Sequence, residues 1–303
     1  MGRADLSGAS TPDPVSVCYL LRRTRQRMFV AATGLMPDSR HPRDLALLRV
    51  IAENGPVTQQ WLADYLAINR SVMVKLIDAL EARGDVVRDR RLDDRRSYAL
   101  RTTPSGRRAI KRLSLAAHRA DSALSAPLSA GERSRLVTLL TSVVLPYFHP
   151  MPPAELIDLV GFLVAHAYLR LEALGDSRLA PTKLTLRTFV ALATLAGRAP
   201  CSQHDLAEWL EIRPAATVEL IDELERLGTV QRSRNPADRR SYALELTAGG
   251  DALLFRAKGL VAEAANEFMA RLDASHRTEL VDLLGRLDSP AARAALLRVV
   301  DDC

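Results

Sequence analysis

The stretch Arg-Arg-Ser-Tyr-Ala-Leu occurs twice, at Arg95–Leu100 and Arg239–Leu244, which sets the tyrosines Tyr98 and Tyr242 144 residues apart. Held at that offset without a gap, residues 57–106 and 201–250 are identical at 24 of 50 positions. A repeat of this length means duplicated domains rather than a solenoid of short units. The 303 residues are also enough for two hydrophobic cores. The join is expected in Pro146–Pro153, where closely spaced prolines remove backbone donors and stop a helix. The expected organisation is a disordered start over 1–14, a first unit over 15–148 with its core at 43–106, and a second unit over 149–303 with its core at 183–250.

Each copy reads the same way from its periodicity. Thr58–Leu66 predicts a short helix with Leu62 and Leu66 on one face, and Ser202 followed by Asp205 predicts a capping box at its second-copy counterpart. Asn69 suits the N-cap of a second helix, and Pro214 suits a first helical position. That helix is expected to bury Val74, Ile77 and Leu80, or Val218, Ile221 and Leu224, and to stop at Gly84 or Gly228. Two short strands follow, Val86–Arg88 and Tyr98–Thr102, around a charged tip at Asp89–Arg96. A charged tip met alone is most simply a solvated loop. Placed twice after a helix-turn-helix, it reads as the wing of a winged helix.

The formal net charge is +6, and its distribution is uneven. Residues 1–150 hold 24 basic and 14 acidic residues, whereas residues 151–303 hold 18 and 22. A basic first half suggests a polyanionic partner. Arginine abundance itself weighs little, because only Lys75, Lys111, Lys183 and Lys258 are lysine and a GC-rich coding sequence produces that bias unaided. The longest nearly apolar run, Leu136–Phe148, falls short of the roughly 20 residues a bilayer span requires. Without a signal-peptide pattern the chain is expected to be cytoplasmic. Cys18, Cys201 and Cys303 form no CxxC pair, and the six histidines form no i, i+4 pair, so no metal site is expected. No P-loop, GxSxG or HExxH string is present, and the expectation is a non-enzyme without a cofactor.

The residues Leu62-Ala63, Leu76-Ile77-Asp78, Leu80-Glu81, Gly84, Arg88, Asp94-Arg95-Arg96, Thr103 and Gly106, with their counterparts 144 residues on, resemble the signature of the MarR family of bacterial transcriptional regulators. The likeness extends outward. Cys18–Phe29 is similar to the family's first, dimer-forming helix, and Glu155–Leu174 takes that place in the second copy. Ser105–Ser122 with Ala130–Leu145, and Ala248–Leu272 with Ser275–Leu287, resemble the remaining dimerisation helices. The implied fold is mainly α with small β-wings (α+β). Two tandem winged helix-turn-helix domains are joined by a helical dimerisation-type bundle. Family members work as homodimers, so the resemblance implies two protomers fused as an intramolecular pseudo-dimer. Its recognition helices would meet successive major grooves about 34 Å apart on an operator that need not be a palindrome. Further dimerisation of the fused chain stays open.

The resemblance turns Arg70, Ser71, Val72 and Lys75 toward double-stranded operator DNA, with Arg70 and Lys75 suited to guanine edges or phosphates. It makes Arg96, braced by Asp94, the minor-groove arginine of the wing and Arg95 a phosphate contact, roles the two arginines can exchange. The second copy departs from the pattern. Ala215, Ala216 and Glu219 replace Ser71, Val72 and Lys75, with Glu223 a turn further on, yet Asp238, Arg239 and Arg240 keep the wing motif. The matched windows carry nine basic and seven acidic residues against six and nine. The first lobe is therefore expected to dominate base readout. For a small aromatic or lipophilic effector, the resemblance points to a crevice near Tyr19, Met28, Phe29, His41 and Trp61, residues that serve equally well as core. Cys18 before Tyr19 is similar to the peroxide-sensing branch of the family, but the second copy has no matching cysteine and an inert buried thiol is the simpler reading. Two functions follow: an operator-binding, ligand-responsive repressor, or a protein-interaction module in which DNA binding is weak or lost in the acidic second lobe. No membrane partner is expected.

Overall fold

The computed structural model describes residues 14–90, 98–234 and 242–289. The first copy runs α1 (Pro14–Leu35), α2 (Asp44–Asn54), β1 (Val57–Thr58), α3 (Gln59–Tyr65), α4 (Arg70–Ala82), β2 (Val86–Arg90), β3 (Tyr98–Thr102), α5 (Pro104–Ser125) and α6 (Ala130–Val144). The second runs α7 (Ala154–Ile157), α8 (Val160–Leu179), α9 (Leu186–Ala196), α10 (Gln203–Leu210), α11 (Pro214–Arg226), β4 (Val230–Arg234), β5 (Tyr242–Leu246), α12 (Ala248–Phe268) and α13 (Ala274–Leu287). Short 3-10 turns connect several of them. No helix among the described residues is long and apolar enough to cross a membrane.

Local sequence accounts for most boundaries. The Thr58 hydroxyl accepts from Trp61 N–H to start α3, Asn69 caps α4, and Ser202 with Asp205 forms a reciprocal capping box on α10. Pro214 opens α11 where no backbone donor is needed. Gly84 and Gly228 end the second helices at φ +69° and +68°, a left-handed conformation that favours glycine. Gly106 and Gly250 are fixed by close approach instead. A Cβ there would lie 2.2 Å from the Asp85 carbonyl oxygen and 2.1 Å from that of Thr229.

Three expectations are corrected. The buried face of α4 is Met73, Leu76, Ile77 and Leu80, while Val74 is 43% exposed; in α11 it is Thr217, Leu220, Ile221 and Leu224, while Val218 is 39% exposed. Met73 and Thr217 complete the i, i+3, i+4, i+7 stripe, and the valines lie about 100° round from them. The hairpin of the first lobe gains a third strand, in the order β1-β3-β2, with Val57 opposite Leu100; among the described residues of the second lobe, an isolated bridge from Cys201 to Leu244 stands in its place. The helix expected over Glu155–Leu174 breaks between Ile157 and Val160. The cause lies in α5, where the buried Asp121 carboxylate accepts the Gly161 N–H (2.8 Å) and so caps α8 at its first turn.

By contacts the chain divides into two units that are not consecutive in sequence. One gathers the residues up to Arg23 with Arg170–Val281; the other gathers Thr24–Leu169 with the residues from Asp282 on. We call these the second-lobe unit and the first-lobe unit after the winged helix each contains. Both α1 and α8 run from one unit into the other. The 148/149 boundary follows the repeat, and the contact units follow packing. The first-lobe unit is centred on Leu47, Leu48, Ile51, Leu62, Ile77 and Leu80, and the second-lobe unit on Phe189, Leu192, Leu206, Ile221, Leu224 and Leu244, all nearly or fully buried. Each contributes about 1.5–3 kcal/mol of burial free energy.

Candidate functional site

The recognition helix α4 begins with a dense polar knot. The Asn69 side-chain oxygen accepts both the Ser71 N–H (2.9 Å) and the Ser71 hydroxyl (2.8 Å). Arg70, Ser71, Val72 and Lys75 are all exposed, with Ser71 and Lys75 on the side of α4 away from the core stripe. A 13-residue helix presenting two cations near its positive end attracts anions such as phosphate. In α11 the N-cap is Arg213, without a side-chain cap bond, and Pro214, Ala215 and Glu219 are exposed instead. Glu223 is half-buried. The wing-tip residues Asp94, Arg95, Arg96, Asp238, Arg239 and Arg240 lie outside the described residues.

A residue that sequence reading placed in the motif without a role ties wing to recognition helix. Arg88, on β2, pairs with Asp78 (2.6 Å) and Glu81 on α4 and donates to the Gln59 amide oxygen (3.3 Å) on α3. Arg232 repeats this with Asp222 (2.9 Å) and Glu225 (2.6 Å). The signal was present in the repeat, since Gln59, Asp78, Glu81 and Arg88 all recur 144 residues on. Partly exposed pairs contribute little stability singly, but a planar guanidinium shared by three acceptors fixes direction.

At the root of the first wing lies a buried ionic cluster. Arg40 pairs with Asp85 at 2.6 Å and with Asp44 at 4.0 Å, and all three are under a tenth exposed. Asp85 also accepts the Ser105 hydroxyl (3.1 Å), and its carbonyl accepts the Thr103 N–H at the start of α5. Burial pushes the Asp44 carboxyl up to about 6 against the pull of the His41 N–H, Arg83 and Arg40; Asp85 adds to the rise. The second lobe carries Leu184, Thr188 and Thr229 at the equivalent positions, all buried. The Thr229 hydroxyl donates to the Leu224 carbonyl there.

The first-lobe unit also encloses a cavity of about 130 Å³. Met28 and Phe29 line it, with Ala46, Ala117, Phe162 and His166 among the other walls and Arg25 and Arg43 supplying cationic groups. Burial lowers the pKa of Arg43. The remaining expected crevice residues lie elsewhere. His41 tilts against Phe29 with ring centroids 5.5 Å apart and Trp61 stacks on Tyr65 at 4.7 Å, and neither is in the cavity wall. Tyr19 lines a separate cleft in the second-lobe unit with Cys18, Phe189 and Trp209. The Cys18 thiol is 1% exposed.

Two models described as MarR family match this chain, one over residues 40–97 and one over 184–242. A transcriptional regulatory protein for the hcr operon of Thauera aromatica is 43% identical over 94 residues, covering 31% of this chain and 57% of that protein. The HTH-type transcriptional repressor NicR of Pseudomonas putida is 30% identical over 135 residues, 45% of this chain and 85% of that protein. Among solved structures, the transcriptional repressor CouR bound to a 23-mer DNA duplex is 34% identical, with a TM-score of 0.43 over 45% of this chain and 96% of that one. A single half of the sequence thus spans most of a related repressor, and two stretches in the same register match the same family: the chain belongs to the MarR family, with two units in tandem.

Proposed function

We propose that the chain is a DNA-binding transcriptional repressor in which the two winged helices of one polypeptide act as a pseudo-dimer on an asymmetric operator, with the first lobe reading the bases. The relatives named as repressors support the regulatory role. The observation that carries the asymmetry is the pair of exposed cations Arg70 and Lys75 on α4, against exposed Pro214 and Glu219 on α11. A carboxylate facing phosphates is repelled, so the second lobe contributes chiefly through its wing. The apolar cavity around Met28 and Phe29, with Arg25 and Arg43 beside it, suits a small aromatic or lipophilic effector carrying an anionic group, whose binding releases DNA.

Fluorescence anisotropy with duplexes from around the chain's own coding region, over a range of salt and with molar mass determined in the same buffer, tests this reading. Specific binding by a 33.3 kDa species that weakens steeply with salt is expected. Lys75→Glu abolishes specific binding, and Glu219→Lys strengthens nonspecific binding. Equal losses from alanine at Lys75 and Glu219 overturn the asymmetry. Binding no tighter than to random DNA at every promoter tried favours the protein-interaction reading, to which the exposed acidic residues of α11 lend themselves.

A further inference from the structure

We infer that the recognition helix α4 is held at both ends by the wall of the Met28/Phe29 cavity, and that Arg40 is the positioning residue that ties its carboxy-terminal end to that wall. This rests on reading the cavity as the effector site. The amino-terminal tie is chain continuity. Leu66 and Ile68 line the cavity, and the next residue, Asn69, is the N-cap of α4. Ile68 is itself fixed to α3, its N–H donating to the Ala63 carbonyl at 2.9 Å, and Ala67 between the two wall residues is left-handed at φ +50°.

The carboxy-terminal tie runs through residues 36–43, which join α1 to α2. Met36, Pro42 and Arg43 of this segment line the cavity. Between them the chain turns through Asp38 and Ser39 at φ +56° and +51° and sends Arg40 to Asp85 at 2.6 Å, just past the end of α4. Arg83, the C-cap of α4, donates to the Ser39 carbonyl at 3.5 Å. Non-glycine residues hold left-handed backbone only where their surroundings over-determine it. A segment clamped in this way, with Arg40 and Asp85 both buried, passes a displacement on instead of absorbing it. The second lobe keeps the chain continuity and lacks the other tie. Leu184, Thr188 and Thr229 stand where Arg40, Asp44 and Asp85 do, and Leu227 stands where Arg83 does. Its cleft is open, but the described lining residues come from α1, α9, α10 and the turn after α9; none lies in 180–185 or 211–213, the segments that lead to α9 and α11.

The regulatory consequence is that whatever fills the first-lobe cavity bears on both ends of the helix that carries Arg70 and Lys75. A ligand that moves the 36–43 segment carries Asp85 with it and tilts α4 against DNA. The coupling is reciprocal, so bound DNA opposes the ligand by the same factor as the ligand opposes DNA.

The test uses the full chain and 8-anilinonaphthalene-1-sulfonate, an aromatic anion whose fluorescence rises on burial. It is titrated with and without a saturating duplex from around the chain's own coding region, at a salt concentration where that duplex is bound. The ratio of the two dissociation constants measures the coupling, and about tenfold or more is expected. Arg40→Leu/Asp44→Thr/Asp85→Thr installs the second-lobe residues and leaves no member of the cluster charged and unpaired. Its fold is checked by thermal melting. Probe alone and duplex alone each bind it within about threefold of the parent, while the ratio falls to about one. Arg40→Lys, which keeps the cation without the fork, recovers part of the ratio. A triple variant with the parent's ratio overturns the inference and leaves the effector reading standing. One that melts like the parent but loses probe or duplex binding outright also overturns it, since the cluster is then a support and not a link. A parent ratio of one overturns it as well. No probe binding to the parent overturns the effector reading, and the inference with it.

Discussion

Replacing Asp44 by threonine, the residue its counterpart Thr188 already is, isolates the electrostatic cost of the buried cluster at the first wing root. Asp44 is 1% exposed, and burial raises its carboxyl from 3.8 to about 6. The folded state therefore binds the proton more tightly than the unfolded state. The stabilisation this provides is fully present below about pH 4 and is lost as the pH rises through 6. A difference of about 2 units corresponds to about 3 kcal/mol. Asp44→Thr removes this dependence along with a pH-independent contribution from the His41 N–H and the Arg40 contact, so the readout is the slope of the difference between the two proteins. The chain has two tryptophans, Trp61 and Trp209. With Trp209→Phe as background, Trp61 fluorescence reports unfolding of the first lobe in urea. Between pH 4 and pH 7, where most of that difference is traversed, the variant should gain about 2 kcal/mol relative to its parent. A difference that stays flat within 1 kcal/mol across that range refutes the assignment of a burial-raised carboxyl to Asp44.

In the same background, Ile77→Ala should lower first-lobe stability by about 2–5 kcal/mol and Val74→Ala by less than about 1, because only the first faces the core; equal losses would restore the face expected from sequence. Arg88→Ala should leave the melting temperature within a few degrees but weaken operator binding about fivefold and speed amide exchange in β2 and β3, since its pairs with Asp78 and Glu81 direct the wing. Unchanged exchange would show that the wing holds its direction without the clamp.

Elements closed by their own sequence were legible before the structure. Asn69, Ser202, Pro214 and the two positive-φ glycines act on the backbone within a few residues, so their helix ends follow from local chemistry. The MarR classification rests on the same kind of signal and is supported by the comparisons. What required a second part of the chain was not legible. The break before α8 depends on Asp121, 40 residues away, and the pairing of β1 depends on β3. Two-residue strands and tertiary caps leave no periodicity to read. The effector crevice shows this most clearly. Met28 and Phe29 share a wall, but Tyr19, ten residues back on the same helix, belongs to the other unit, because α1 crosses between the two. The cluster of Arg40, Asp44 and Asp85 was missed because three scattered charges look like solvated surface until packing buries them.

That α1 and α8 each serve both units has a consequence for synthesis. The amino-terminal half of α1 finds its partners in Arg170–Val281, so it leaves the ribosome well before the surface it covers has been made. At roughly 5–20 residues per second the wait lasts on the order of ten seconds or more. During it the apolar stripe of Val17, Cys18 and Leu21, fully sheltered in the finished protein, has no native cover. A chain truncated after the first repeat would be left permanently in that state, with half a helix exposed and aggregation-prone. Duplication at the level of sequence has thus produced halves that are each spelled out completely and yet are not separable as folded pieces.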